Sequence, residues 1–144
     1  MPTTAKDFFK AADGHRRAVE LLQPHEFRPD GSRDSVFFSI YNVLGFTVEL
    51  YLKAFLAKDG MPDSELWKKK YGHNLSNLFD EAQKRGFAVC LPEMTAIINF
   101  LGSGHADYGY RYVQDGGYVN QFNDLTLVIR ALQQVHVSMQ DELA

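Results

Sequence analysis

The run from residue 36 to residue 57 limits most strongly how this chain can fold. It is apolar at most positions and long enough to cross a bilayer, yet it contains Glu49 and Lys53 four residues apart. Each such charge near the middle of a membrane span would cost roughly 2.5–3.5 kcal/mol. A helix that is apolar on nearly all sides is typical of a protein core. The run therefore predicts a buried core helix over residues 34–59 of a soluble protein, and no membrane contact.

Four further helices are predicted from helical spacing and from terminal signals. The first covers residues 4–22, and a later one begins at Asn74, a favourable N-cap, and stops at Gly86. The next begins near Pro92, which suits a first turn, and the last covers residues 120–143. Strand signals are weak throughout the sequence.

A long loop is predicted before the last helix. Residues 102–117 hold five glycines and three tyrosines, a composition that breaks the helical pattern. No linker, repeat or low-complexity tract divides the chain. The expected structure is one all-α domain over residues 1–144, an up-and-down bundle of four to five helices.

The net charge, the single cysteine and the spacing of the histidines limit which functions are expected. A formal net charge of −3 argues against broad coating of nucleic acid, although it permits a local basic patch. Cys90 is the only cysteine, which fits a reducing cytoplasm, and residues 1–10 have no apolar signal core. No metal or cofactor is expected, because no tight ligand spacing occurs among His15, His25, His73, His105 and His136.

Glu49 and Lys53 have the favourable order for a helical ion pair, and their neighbours are apolar. Burying one charge alone would be costly, so each needs a partner. Two interpretations stay open: a structural pair that fixes helix packing, or a pair at a pocket or dimer face. His73, just before Asn74, is either packed against the core helix or able to act as an acid or base near neutral pH.

Two segments have the chemistry of nucleotide or RNA contact. Arg111 lies between Tyr110 and Tyr112, and an arginine flanked by aromatic rings can hold a phosphate while a ring stacks on a base. Lys69 and Lys70 belong to a basic cluster beside Trp67 and Tyr71. The alternatives are a loop pinned to the core and a solvated turn.

These motifs together resemble one family. Val48–Leu56 (VELYLKAFL), the lysine-rich turn after it and Tyr71–Leu75 (YGHNL) resemble the HEPN superfamily, the higher eukaryotes and prokaryotes nucleotide-binding domain. The arginine among tyrosines is similar to a later segment of that family. The resemblance covers residues 35 to 136.

The resemblance implies an α-helical bundle that pairs as a homodimer. Many HEPN proteins act in bacterial toxin–antitoxin, abortive-infection or RNA-processing systems. The partners it implies are therefore RNA or a nucleotide, and a cognate antitoxin or a nucleotidyltransferase-like protein. Glu49, Lys53 and His73 would form a structural polar network in such a bundle.

Active HEPN proteins are metal-independent ribonucleases with an arginine and a histidine a few residues apart on a late helix. Arg130 and His136, with five residues between them, match that motif, but Ala131 stands where a polar residue is common. On a regular helix the two side chains point about 120° apart. In a working enzyme Arg130 would neutralise the scissile phosphate and His136 would transfer a proton.

Three functional hypotheses remain from the sequence. The first is a binding module that recognises RNA, a nucleotide or a protein partner without chemistry. The second is a metal-independent endoribonuclease that uses Arg130 and His136. The third is a structural or regulatory interaction protein, in which Glu49, Lys53 and His73 serve packing alone.

Overall fold

A computed structural model describes residues 1–106 and 122–144 of the chain. Within these ranges the backbone forms six α-helices and one short 3₁₀ turn at Gln23–His25. The helices are α1 (Ala5–Leu22), α2 (Val36–Lys58), α3 (Asp63–Leu66), α4 (Leu75–Lys84), α5 (Leu91–Ala106) and α6 (Leu125–Leu143). The only β-type pairing in the described part is one bridge between Phe27 and Arg33. The all-α prediction is confirmed for these residues.

Helix α2 is the centre of the fold. It packs along α1 and also contacts α4, α5 and α6, so apolar side chains are needed all around it. By length and composition alone α2 is apolar enough to cross a membrane, yet 67% of its most apolar window is buried inside the protein. Packing within the bundle accounts for its apolar character, as predicted for a core helix.

The predicted helix ends are formed by side-chain caps. Thr4 and Asp7 make a reciprocal capping box at the start of α1, with both backbone donors satisfied. The side chain of Asn74 accepts a hydrogen bond from the backbone of Asn77 at 3.0 Å and caps α4. Gly86 follows α4 with a φ of 101°, the left-handed conformation expected of a helix stop.

Two predicted boundaries around the glycine-rich segment are wrong. Helix α5 continues through Gly102 as far as Ala106, so the first five residues of the predicted loop are helical. Burial outweighs the low helix propensity of glycine here, because the extra turn places His105 in the core, where it is 3% exposed. The rest of the predicted loop, with Tyr110, Arg111 and Tyr112, lies outside the described residues.

The last helix begins later than predicted. Residues 122–124 are not helical, and α6 begins at Leu125 instead of near residue 120. Asp124 caps this end, since its side chain accepts a hydrogen bond from the backbone of Thr126 at 2.9 Å. The predicted apolar face is buried as expected, with Leu125, Val128, Ile129, Leu132, Val135, Met139 and Leu143 in the core.

Two leucines test the central position of α2. Leu44→Ala should lower the free energy of unfolding by about 2–5 kcal/mol, because Leu44 is fully buried and its loss leaves a cavity. Leu21→Ala on α1 is the matched control, since Leu21 is 76% exposed and should change stability by less than about 0.5 kcal/mol. Urea titrations measure both. Equal losses would contradict the packing described.

Candidate functional site

The carboxylate of Glu49 lies at the centre of a buried polar cluster. Its Oε2 accepts a hydrogen bond from Nζ of Lys53 at 3.1 Å. Its Oε1 lies 2.7 Å from Nδ1 of His73 and 2.8 Å from Nε2 of His105. An ionised carboxylate only accepts, so both ring nitrogens carry a proton in this arrangement. We call these four residues the Glu49 cluster.

Three separate elements supply the Glu49 cluster. Helix α2 contributes Glu49 and Lys53, the turn before α4 contributes His73, and the C-terminal part of α5 contributes His105. Gly45 makes the approach of α5 possible, because a Cβ atom at this position would lie 2.3 Å from Nδ1 of His105.

Phe46 closes the cluster on one side. Its ring meets the His105 ring edge-on with centroids 4.7 Å apart, and it meets the His73 ring edge-on at 5.5 Å. Both contacts have the geometry that aromatic pairs prefer. The two imidazole rings are therefore held in position by packing as well as by the carboxylate.

Burial and the neighbouring charges have opposite effects on the pKa values of Glu49 and Lys53. The side chains of Glu49 and Lys53 are 3% and 0% exposed. Burial alone would raise the pKa of Glu49, but the hydrogen bond from His105, the charge of Lys53 and the hydrogen bond from His73 together hold that pKa below its ordinary value. Burial lowers the pKa of Lys53 despite the attraction of Glu49. Removing either partner would leave an uncompensated buried group.

Lys53 connects the Glu49 cluster to the protein surface. Its ammonium lies 4.1 Å from the ring centroid of Trp67, a cation–π distance. Trp67 is 54% exposed, and the ring of Phe8 packs against it with centroids 5.9 Å apart. The indole is thus held from inside the protein while much of its surface faces solvent.

Three exposed lysines follow Trp67 directly. Lys68 pairs with Glu65 at 2.6 Å, whereas Lys69 and Lys70 form no ion pair among the described residues. The turn itself is fixed, since the side chain of Asn77 donates to the backbone oxygen of Lys70 at 2.8 Å. We call Trp67, Lys69 and Lys70 the Trp67 edge.

His136 lies in a different polar cluster, between α1, α2 and α6. Its ring stacks on Phe9 with centroids 4.6 Å apart, and its Nδ1 lies 3.0 Å from the hydroxyl of Tyr51. Arg16 donates to the same hydroxyl at 3.0 Å. Burial, together with the positive charge of Arg16, lowers the pKa of His136. The imidazole therefore favours its neutral form near neutral pH.

Arg130 does not reach His136 within one chain. Arg130 is exposed and makes no ion pair or side-chain hydrogen bond with the described residues, whereas the side chain of His136 is only 17% exposed. Arg130 shares its exposed stripe of α6 with Leu127 and Val137, both 59% exposed. Helix geometry places His136 about 120° around α6 from Arg130. Bringing both side chains to one phosphate would require a second chain.

Three of the four residues of the Glu49 cluster were predicted from the sequence to form a polar network. Glu49, Lys53 and His73 are in contact as predicted, but the fourth member, His105, was not predicted to join them. Gly45 was the available signal, because a glycine one turn before Glu49 in a core helix marks a close approach by another element. The partners of His136 carried no sequence signal, since Tyr51 and Arg16 lie 85 and 120 residues away along the chain.

Comparison with known proteins finds no family model, curated protein or solved structure that matches this chain. The HEPN resemblance therefore stays a prediction that rests on the sequence motifs alone. The geometry of the Glu49 cluster and of the Trp67 edge stands independently of that resemblance, because it follows from contacts within the chain.

Substitutions that remove the charges of Glu49 and Lys53 test whether the two residues stabilise each other. Glu49→Gln should lower the free energy of unfolding by about 3–5 kcal/mol, because the ammonium of Lys53 stays buried without its carboxylate. The double variant Glu49→Gln with Lys53→Met should recover most of that loss, as measured by denaturant titration. A double variant as unstable as the single one would contradict a coupled pair.

The wild-type protein and the double variant should also respond differently to acid. The pKa of Glu49 is lower in the folded than in the unfolded chain, so its stabilising effect is complete above the unfolded value and is lost as the pH falls through the folded value. The double variant should lack this part of the acid destabilisation, which denaturant midpoints at neutral and acid pH would reveal.

Proposed function

We propose that this chain is a HEPN-like helical-bundle module that binds single-stranded RNA or a nucleotide at the Trp67 edge. The supporting observation is the half-exposed indole of Trp67, which Lys53 contacts from inside the protein, together with Lys69 and Lys70, which make no ion pair with the described residues. The predicted homodimer, and a partner such as an antitoxin or a nucleotidyltransferase-like protein, belong to the same proposal and rest on the family resemblance.

Trp67 has the properties of a stacking platform. Base-on-aromatic stacking contributes about 1–3 kcal/mol per base and accepts any base, since every base has a π face. The indole of Trp67 is 54% exposed and held in place, so it offers a flat apolar face on which a base can stack. The contact with Lys53 restrains the ring, which reduces the ordering that binding would otherwise require.

The lysines supply the charge that a phosphate backbone needs. Lys69 and Lys70 follow Trp67 by two and three residues, so a stacked base and its phosphate can be contacted by one turn of the chain. The acidic residue nearest in sequence, Glu65, is already paired with Lys68. A local basic edge of this kind is compatible with the net charge of −3, because phosphate attraction is screened beyond about 10 Å.

The single tryptophan makes this proposal directly measurable. Addition of a single-stranded oligoribonucleotide should quench the fluorescence of Trp67, the only tryptophan in the chain. Trp67→Ala should weaken binding about tenfold in fluorescence anisotropy, since stacking of one base is lost. Lys69→Ala with Lys70→Ala should lower the salt dependence of log affinity by about 1.4, or 0.7 per phosphate contact.

Lys84→Ala is the matched control for the lysine variants. Lys84 is exposed near the end of α4 and lies outside the Trp67 edge, so affinity and salt dependence should stay at wild-type values. Binding without tryptophan quenching, or equal losses in the Lys84 and Lys69–Lys70 variants, would contradict recognition at this edge.

A second candidate function, the endoribonuclease, is favoured by one observation at His136. The neutral imidazole is oriented by Tyr51 and Phe9, as a general base requires. Arg16 nearby cannot easily replace Arg130, because Asp13 and Glu20 already pair with its guanidinium. Catalysis would therefore need Arg130 from a second chain.

The nuclease hypothesis is tested with mixed single-stranded RNAs in the presence of a chelator. On this hypothesis the wild-type protein yields 2′,3′-cyclic phosphate ends, and both His136→Ala and Arg130→Ala abolish the products. His25→Ala is the control, since His25 is exposed and distant in sequence from both residues. Cleavage that persists in the His136 variant would exclude His136 as the base.

A further inference from the structure

Three possible metal-ligand atoms of the Glu49 cluster lie close together. Oε1 of Glu49, Nδ1 of His73 and Nε2 of His105 all lie within 4.8 Å of one another. They come from positions 49, 73 and 105, so no short spacing in the sequence reveals them. Two imidazole nitrogens and one carboxylate oxygen are a donor set that suits zinc and neighbouring divalent transition metals.

We propose that Glu49, His73 and His105 form a binding site for a divalent transition-metal ion of the zinc type. This proposal does not require that RNA is recognised at the Trp67 edge. Three protein donors leave at least one coordination position for water or another ligand. His73, with 35% of its side chain exposed, is the member through which the ion would enter, because Glu49 and His105 are buried.

Metal binding requires the three donor atoms to rearrange. The present oxygen–nitrogen distances of 2.7 and 2.8 Å are those of hydrogen bonds. Ligands bound to tetrahedral zinc at 2.0–2.1 Å are separated by about 3.3 Å. Each imidazole nitrogen therefore has to move about half an ångström away from Oε1, and the two nitrogens, which lie within 4.8 Å of each other, have to come closer together. Each imidazole would then direct a lone pair to the ion and carry its proton on the other ring nitrogen.

Groups around the donors are arranged as supports for such a site. Lys53 holds Oε2 of Glu49 at 3.1 Å and so leaves Oε1 as the single donor oxygen. Phe46 packs against both imidazole rings, and the absence of a side chain at Gly45 gives His105 its place. Such outer contacts orient the ligands of known metal sites. The positive charge of Lys53 would repel the metal ion, which limits the affinity of the site for that ion.

The direct test uses the 144-residue chain, stripped with a chelator and returned to metal-free buffer. Calorimetric titration should show one Zn²⁺ per chain, and Co²⁺ should give the visible absorption bands of a four- or five-coordinate ion. His73→Ala should weaken Zn²⁺ binding at least about tenfold and remove these bands. His73 is partly exposed, so this variant should stay folded.

His25→Ala provides the matched control, since it removes an exposed histidine outside the cluster and should bind Zn²⁺ like the wild type. Nitrogen NMR of the imidazole rings adds a site-resolved readout: Zn²⁺ should shift the ring nitrogens of His73 and His105. Equal binding by the wild-type and His73→Ala proteins, or shifts confined to other histidines, would show adventitious binding only and would overturn the proposal. No Zn²⁺ binding by the folded wild-type protein would overturn it as well.

Discussion

The buried carboxylate of Glu49 is the constraint on which the structure depends. A charge in the middle of an apolar helix is tolerated only if every acceptor position is satisfied. Lys53 satisfies one oxygen, and His73 and His105 satisfy the other. Because these partners come from three elements, the need to satisfy one carboxylate also fixes where the turn before α4 and the end of α5 lie against α2.

The same cluster links the core to the surface. Lys53 is bound to Glu49 on one side and lies below the exposed ring of Trp67 on the other. His73 is the partly exposed member on the opposite oxygen. A buried charge pair contributes little net stability compared with an apolar core, so its presence at this position favours a role in positioning the Trp67 edge and the histidines. That is the physical basis common to both proposals.

The helix ends were predicted correctly where they depend on contacts between residues close together in the sequence. The capping box of Thr4 and the cap of Asn74 formed as expected, because their donors and acceptors are three residues apart. Prediction failed at Gly102, where α5 continues, since packing of His105 against α2 outweighs glycine's low helix propensity. It also placed the start of α6 too early, before the cap at Asp124.

The sequence by itself determined that α2 is a core helix and that Glu49 and Lys53 need partners, because apolar periodicity and the cost of burying a charge are properties of a short segment. Only the tertiary structure decided which partners they have. His105 reaches Glu49 across 56 residues, and His136 meets Tyr51 across 85. Such contacts depend on how whole helices pack, so they cannot be predicted from the spacing of residues in the sequence.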